Sequence, residues 1–158
     1  MRIGRCMGIN NYSERASSKD FDRISSLKSR HQISSIGKFV QISSSGDGAN
    51  IISKGSNAQI SSSGDNALII SEGVSARISS SGDRVTIDSQ GLYAVICCAG
   101  RFPHVKARIG SFITLTEWEY SEDSKAFVPT HTRTEQVDGK RIREDVYYCL
   151  TDGGFTEV

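Results

Sequence analysis

The sequence predicts an all-β protein whose central part is a parallel β-solenoid, a stack of short strands wound into coils of 18 residues. Three observations support this prediction: a regular spacing of glycine, a matching spacing of isoleucine, and an aspartate at every second turn. A small antiparallel β module is expected to follow the solenoid. The expected division is an N-terminal cap in residues 1–23, the solenoid in residues 24–111, and the C-terminal module in residues 112–158.

The basic unit is the nonapeptide Ile-Ser-Ser-x-Gly-x-x-Ala-x. Glycine recurs every nine residues from Gly37 to Gly100, isoleucine follows each of the first seven glycines by five residues, and alanine or valine stands two residues before each isoleucine. Residues two apart in a strand share a face, so the Ala/Val and Ile columns are predicted to point inward and form a thin core. The glycine is expected at a corner, where it tolerates a positive φ.

A second period indicates that one coil contains two nonapeptides. Asp47, Asp65 and Asp83 follow glycine at intervals of 18 residues, while the glycines between them lack a following aspartate. The prediction is a flattened solenoid with two sheets, nearly five coils and a rise of about 4.8 Å per coil. Ile42 should then lie beside Ile60 rather than beside Ile51. The pattern does not predict handedness.

Two known repeat classes of similar period do not fit. Left-handed β-helix acyltransferases also have 18-residue coils, but their unit is a hexapeptide. Calcium-binding β-rolls have the unit G-G-x-G-x-D-x-U-x, whereas this repeat has one glycine, directly followed by aspartate. The aspartates are therefore assigned to turn chemistry, in which the side chain bonds locally to the backbone. No metal and no cofactor is expected.

The pattern changes at both ends. The stretch "ASSKDFDRISS" from Ala16 looks like a degraded repeat and is read as part of the cap. After Gly110 comes "FITLTEWEY", a long alternating strand. Asp138-Gly139, between two alternating runs, predicts a β-hairpin, and Asp152-Gly153 predicts a second tight turn. The C-terminal module is expected to have an aromatic core made of Trp118, Tyr120, Phe127, Tyr147, Tyr148 and Phe155.

From about Ile33 onward the chain resembles a family of phage and prophage proteins found among gut bacteria. The resemblance is carried by the "SSGDxA" units and, more specifically, by the tail "VDGKRIREDVYYCLTDGGF". Cys97-Cys98 departs from the repeat by replacing Ser-Ser, and Ile52 and Ile70 replace its second serine. The resemblance implies a phage-type origin and no particular activity.

Composition narrows the possible partners. The net charge of +1 disfavours a general polyanion binder and nucleic acid as a direct ligand. No apolar run approaches the length of a membrane span, and the first residues lack a signal-peptide core, so a cytoplasmic location and no membrane partner are expected. The four cysteines, Cys6, Cys97, Cys98 and Cys149, have no zinc-type spacing and are read as free thiols.

No catalytic motif appears in the sequence. His31, His104 and His131 are scattered, and there is no nucleophile motif, phosphate loop or carboxylate-pair signature. The chain is therefore predicted not to be an enzyme.

The outward-facing positions give candidate binding residues. One sheet should display a mostly polar face, with Gln41, Ser43, Gln59, Ser61, Arg77, Ser79, Val95 and Cys97. The other should display an apolar patch of Ile52, Leu68 and Ile70, which is read either as a contact surface for a partner or a second copy, or as a seam covered by the N-terminal segment. Arg77 and Arg84 are the expected charged anchors. Lys140, Arg141 and Arg143 form a basic cluster, read as a contact site or as a solvated hairpin flank.

Three functions remain open. The first is a phage-encoded interaction protein that recognises a protein partner, for example an inhibitor of a host factor or defence complex, comparable to an anti-CRISPR protein. The second is a stiff spacer in a virion or an oligomer. The third is an enzyme or small-molecule binder with a site between the solenoid and the C-terminal module.

Overall fold

The computed structural model describes residues 14–158, so most of the expected N-terminal cap lies outside the described residues. The described residues form fifteen strands and no helix. The strands are β1 (Glu14–Ser17), β2 (Arg23–Ser26), β3 (Gln32–Ser35), β4 (Gln41–Ser44), β5 (Asn50–Ser53), β6 (Gln59–Ser62), β7 (Leu68–Ser71), β8 (Arg77–Ser80), β9 (Thr86–Ser89), β10 (Val95–Cys98), β11 (His104–Ala107), β12 (Phe112–Ser121), β13 (Ala126–Gln136), β14 (Tyr148–Thr151) and β15 (Gly154–Glu157). None of residues 14–158 form a helix that could cross a membrane.

The predicted parallel solenoid is confirmed. Odd-numbered strands from β1 to β11 form one sheet and even-numbered strands from β2 to β12 form the other, so successive strands alternate between the sheets. Ile42 is aligned with Ile24 on one side and Ile60 on the other, which confirms the coil of two nonapeptides. The stack has about six coils, because the parallel ladder begins at Glu14 and continues to Leu115 on β12.

The core of the solenoid is thin and regular. The inward Ile column and the Ala/Val column are almost completely buried in every complete coil. Each buried isoleucine contributes about 1.5–3 kcal/mol relative to an exposed one, so the two columns supply most of the hydrophobic stabilisation. Two further inward columns are serine: Ser35, Ser53, Ser71 and Ser89 in one sheet, and Ser44, Ser62 and Ser80 in the other. Their hydroxyls are buried and have no hydrogen-bond partner among the described residues.

The repeated glycines serve a purpose that differs from the one expected. They are absent from the residues with positive φ, so the prediction that they relieve backbone strain at the corner is wrong. A Cβ at Gly55 would lie 1.8 Å from the carbonyl oxygen of Gly37, and at Gly64 it would lie 2.2 Å from the carbonyl oxygen of Gly46. Glycine is therefore required because successive coils approach too closely for any side chain.

The positive φ occurs two residues after each glycine. This position holds Phe39, Asn57, Asn66 and Ser75, with φ between 56° and 59°. Asparagine is common in this conformation, whereas a bulky aromatic is rare there. The backbone N–H at this position donates to the next coil, as in Asn66 N to Asp83 O at 2.8 Å. The corners therefore continue the hydrogen-bonded ladders of the sheets.

The aspartate ladder also connects coils. The Asp47 carboxylate accepts from the backbone N–H of Asp65 at 3.0 Å, and Asp65 in turn accepts from Asp83 at 2.8 Å. The expectation of a bond within the same turn is therefore wrong, because the partner lies 18 residues further along the chain. At the last step Arg101 donates to Asp83 through both its backbone N–H and its guanidinium, which holds the pKa of Asp83 below its usual range.

The C-terminal strands extend the two solenoid sheets. β13 pairs antiparallel with β12, and β14 pairs antiparallel with β11 and with β15. Asp152-Gly153 forms the predicted tight turn between β14 and β15, with φ of 51° and 69°. Asp138-Gly139 does not form a hairpin, so that prediction is wrong. The Asp138 side chain instead accepts from three successive backbone N–H groups, those of residues 140–142, and holds a wide loop.

The predicted aromatic core is wrong for most of its members. Only Tyr148 is buried; Trp118, Tyr147 and Phe155 are half-buried, and Tyr120 and Phe127 are exposed. A separate core is unnecessary because the added strands continue sheets that already have one. The aromatic side chains instead fasten the β12–β13 hairpin to the last corner: Trp118 Nε1 donates to Ala99 O at 2.8 Å, and the Arg101 guanidinium lies 4.4 Å from the centre of the Phe127 ring.

Candidate interaction surfaces

A long trough lies on the outer face of the β2–β12 sheet. Its volume is about 660 Å³. Its lining consists of two outward columns and the strand residues between them: Arg23, Gln41, Gln59, Arg77 and Val95 in the first column, Ser25, Ser43, Ser61, Ser79 and Cys97 in the second, and Ile24, Ile42, Ile60 and Ile78 between them. The trough therefore crosses five strands along the solenoid axis.

The strand alternation produces this shape. The isoleucines turn their side chains into the core and leave the strand backbone as the floor, while the residues on either side of them point outward and are exposed. Glutamine and arginine form a high wall and serine forms a low one. Because each coil repeats the last, the cross-section stays nearly constant along the trough. An extended chain is the shape of ligand that such a trough accommodates.

The trough has cationic walls and a thiol at one end. Its lining contains two arginines and no carboxylate. Cys97 is exposed, whereas its neighbour Cys98 is buried in the core, and burial raises the pKa of the Cys98 thiol to about 12. Cys98 is therefore protonated and inert at neutral pH, and the accessible thiol of this pair is Cys97.

The predicted apolar patch lies on the opposite face of the solenoid. Ile52 and Ile70 are aligned neighbours on β5 and β7, and Leu68 lies two residues before Ile70 on the same strand. All three side chains are only half-buried. The alternative in which the N-terminal segment covers this patch depends on residues 1–13, which lie outside the described residues.

The two predicted arginine anchors are separated. Arg77 lies on the wall of the trough. Arg84 occupies a corner position with a φ of 53°, where its backbone N–H donates to Arg101 O at 2.7 Å. The structure therefore brings Arg77 into the trough and leaves Arg84 outside it.

The basic cluster is partly neutralised by neighbouring carboxylates. Arg141 forms an ion pair with Glu135, and the Arg143 guanidinium donates to both oxygens of Glu157, at 3.1 Å and 2.5 Å. Glu157 raises the pKa of Arg143 in return. The Lys140 side chain has no ion-pair partner within residues 14–158. These contacts favour a structural role for the two arginines, which tie the loop after β13 to the strands beside it.

A smaller cavity of about 200 Å³ lies between the last coil and the C-terminal strands, where the enzyme hypothesis would place a site. His104, Glu117, Trp118 and Cys149 contribute to its lining. The Glu117 carboxylate accepts from the backbone N–H groups of residues 152 and 153 at 2.8 and 2.9 Å, and lies 3.1 Å from the His131 ring. These contacts, led by the backbone bond from residue 153, hold the pKa of Glu117 below its usual range. The carboxylate is thus engaged in fastening the β14–β15 turn.

Strand alternation in the sequence predicts that Gln41, Gln59 and Arg77 share one face, but it does not predict the trough. The signal was present in the contrast between the two sheets. At the third position of the strand, β2, β4, β6 and β8 all have serine, from Ser25 to Ser79, whereas β5, β7 and β9 of the other sheet have Ile52, Ile70 and Asp88. The outward positions also differ in exposure: they are exposed on β4, β6 and β8 but half-buried on β5, β7 and β9. Arg23 was missed because it belongs to the segment assigned to the boundary of the cap.

Among the described residues no three His, Cys, Asp or Glu side chains lie close enough to hold a metal ion. The fold and the surfaces together define the protein as a two-sheet β-solenoid with 18-residue coils and a trough along one face. Comparison of the chain with protein-family models, curated proteins and solved structures gives no match.

Proposed function

We propose that this protein is a non-catalytic interaction protein that recognises a macromolecular partner, a protein, through the trough. The observation that supports this proposal is the long concave surface on the outer face of the β2–β12 sheet, lined by exposed hydrogen-bonding side chains. The trough lining contains no carboxylate and no histidine, so its serines and the Cys97 thiol have no acid or base group beside them. Recognition of a partner is the activity that this surface supports best.

The rigidity of the solenoid favours such recognition. Every coil is hydrogen-bonded to the next through both sheets and through the corners. A surface that is already ordered loses little conformational entropy on binding, so a moderate number of contacts can give useful affinity. In line with the phage-type resemblance, we propose a host factor as the partner, with inhibition by occlusion of its surface.

The same rigidity supports a second candidate function, a stiff spacer in a virion or an oligomer. In that role the two ends of the stack would carry the contacts and the trough would be dispensable. The two functions therefore differ in their dependence on the trough.

The test fills the trough without changing its charge. Ser61→Trp places a large side chain at an exposed position near the middle of the trough, and the outward direction of residue 61 leaves the core unchanged. The tagged chain is used to capture partners from host lysate, and mass spectrometry compares wild type, Ser61→Trp and the double variant Ile52→Ser/Ile70→Ser. The double variant restores the repeat consensus on the opposite face.

The expected result is one protein captured by wild type and by the double variant, and lost with Ser61→Trp. Loss with the double variant alone would transfer the function to the apolar patch. Equal capture by all three proteins would contradict recognition through either face. Circular dichroism and gel filtration of each variant confirm that the fold and oligomeric state are unchanged.

A further inference from the structure

We infer that the trough binds an extended acidic peptide segment of the partner, with two carboxylates four residues apart. This inference rests on the proposed function, since it names the kind of protein segment that the trough recognises.

The length of the trough fits a short extended peptide. From β2 to β10 the trough spans four inter-strand steps, and at about 4.8 Å per step this is roughly 19 Å. An extended peptide advances about 3.3 Å per residue, so roughly six residues fill the trough. The narrow space between the two outward columns of each strand suits an extended chain better than a helix, which is about 10–12 Å wide with its side chains.

The charges on the wall define the spacing of the carboxylates. Arg23 and Arg77 stand in one column, separated by Gln41 and Gln59, and are therefore three inter-strand steps apart, or about 14 Å. Four residues of an extended peptide cover about 13–14 Å, and residues four apart point to the same side of the strand. Acidic residues at positions i and i+4 can thus meet both arginines at once.

The remaining wall residues favour a peptide over a nucleic acid. The amides of Gln41 and Gln59 each donate and accept, as do the serine hydroxyls opposite, and a peptide backbone offers both kinds of partner. A single-stranded nucleic acid gains much of its affinity from bases stacked on aromatic side chains, and the trough lining contains none. The trough also differs from a general polyanion-binding site, because its only charged lining residues are two arginines at a fixed spacing.

The experiment measures binding of a defined peptide to the full chain. The probe is acetyl-Asp-Thr-Ser-Thr-Asp-Thr-amide, titrated at low ionic strength and followed by the backbone NMR signals of the trough residues. We expect saturable binding with a Kd of about 1 mM or tighter. A control peptide with its two aspartates three residues apart presents them on opposite sides and should bind about fivefold more weakly.

The matched variants are chosen from the repeat itself. Arg23→Gln and Arg77→Gln introduce the residue that the same column already has at positions 41 and 59, so the fold should be preserved. Each should weaken binding by about two- to fivefold, as expected for loss of one solvent-accessible ion pair. Arg84→Gln removes the same charge from a corner outside the trough and should leave the Kd unchanged.

Absence of saturable binding at several millimolar peptide, or equal affinity of wild type and the Arg23→Gln/Arg77→Gln variant, would overturn the inference. Tighter binding of an eight-nucleotide oligothymidylate than of the peptide, lost in that variant, would assign the trough to nucleic acid instead. Failure of the acidic-peptide inference is distinguishable from failure of the proposed protein-binding function. If Ser61→Trp still abolishes capture of the partner, the trough remains a protein-binding surface of another specificity.

Discussion

Substitution of one corner glycine by alanine tests whether close contact between coils explains the nine-residue repeat. At Gly64 an added Cβ would lie 2.2 Å from the carbonyl oxygen of Gly46 and 2.9 Å from the backbone nitrogen of Asp47. An ordinary contact begins near 3.4 Å, so the two coils must separate locally by about 1.2 Å. Neither atom can move aside, because both belong to the backbone.

The cost follows from the bonds that this separation breaks. Three hydrogen bonds cross between these coils at the corner: Ser63 N to Ser44 O at 2.9 Å, Asp65 N to Asp47 Oδ1 at 3.0 Å, and Gly48 N to Asp65 O at 2.7 Å. At about 1 kcal/mol each, their loss should lower the free energy of unfolding of Gly64→Ala by about 3 kcal/mol. For a chain of this size the corresponding fall in Tm is roughly 6–12 °C.

The control is Gly48→Asn, at the same corner. Gly48 has a φ of +64°, but the equivalent positions of the next two coils hold Asn66 and Arg84, so the column accepts a side chain. Urea unfolding followed by circular dichroism compares both variants with wild type. A Gly64→Ala protein within about 0.5 kcal/mol of wild type, beside a strongly destabilised Gly48→Asn, would show that conformation rather than contact selects these glycines.

Three further predictions address other features. Ser71→Ala removes a buried hydroxyl that has no partner among the described residues and should stabilise the fold by about 1 kcal/mol in urea titrations, whereas Ser61→Ala, at an exposed position, should change nothing measurable; a destabilised Ser71→Ala would show that the hydroxyl is satisfied. Glu117→Gln should be less stable than wild type at neutral pH. Because the pKa of Glu117 is lower in the folded state than its ordinary value of 4.5, the difference should shrink as the pH falls below 4.5, and a constant difference in melting curves from pH 7 to 3 would contradict this. Melting curves in EDTA and in millimolar calcium should superimpose, since the aspartate carboxylates accept backbone N–H groups; a shift of many degrees would show a metal contribution.

The fold was predictable from the sequence because its repeat is simple. The spacing of Ile42, Ile51 and Ile60, read with the alternate aspartates, is sufficient to predict strand, corner and coil. The reason for the glycines was not predictable. A close approach between residues 18 apart, such as Gly46 and Gly64, depends on how coils stack, and no local pattern reports it. The same holds for the aspartates, whose partners lie in the neighbouring coil.

The C-terminal segment was less predictable because tertiary context overrides its local signals. Asp138-Gly139 has the composition of a tight hairpin turn. The Asp138 carboxylate instead accepts hydrogen bonds from three backbone N–H groups and stabilises a wide loop. Phenylalanine is a residue type that is common in protein cores, yet the Phe127 side chain is exposed and lies beside Arg101. Neither choice can be read from neighbouring residues, because each depends on where the added strands join the solenoid sheets.

The candidate surface was partly visible from the sequence. Alternation correctly places Arg77 on a polar outer face, but the trough emerges only when the columns of five strands are seen together. Net charge is a sum over the whole chain, so a value near zero does not reveal a local surface lined by two arginines and no carboxylate.

The translation of 18 residues that relates the coils makes the length of this protein adjustable in whole steps. Removal of residues 50–67 would join Ala49 to Leu68, the same dipeptide junction that Ala67 makes with Leu68. The strands on either side would keep the same register, so the backbone bonds between coils would be preserved. Each loss or gain of a coil between Arg23 and Arg77 would change the separation of these two side chains by about 4.8 Å, so the length of the trough can change in fixed steps.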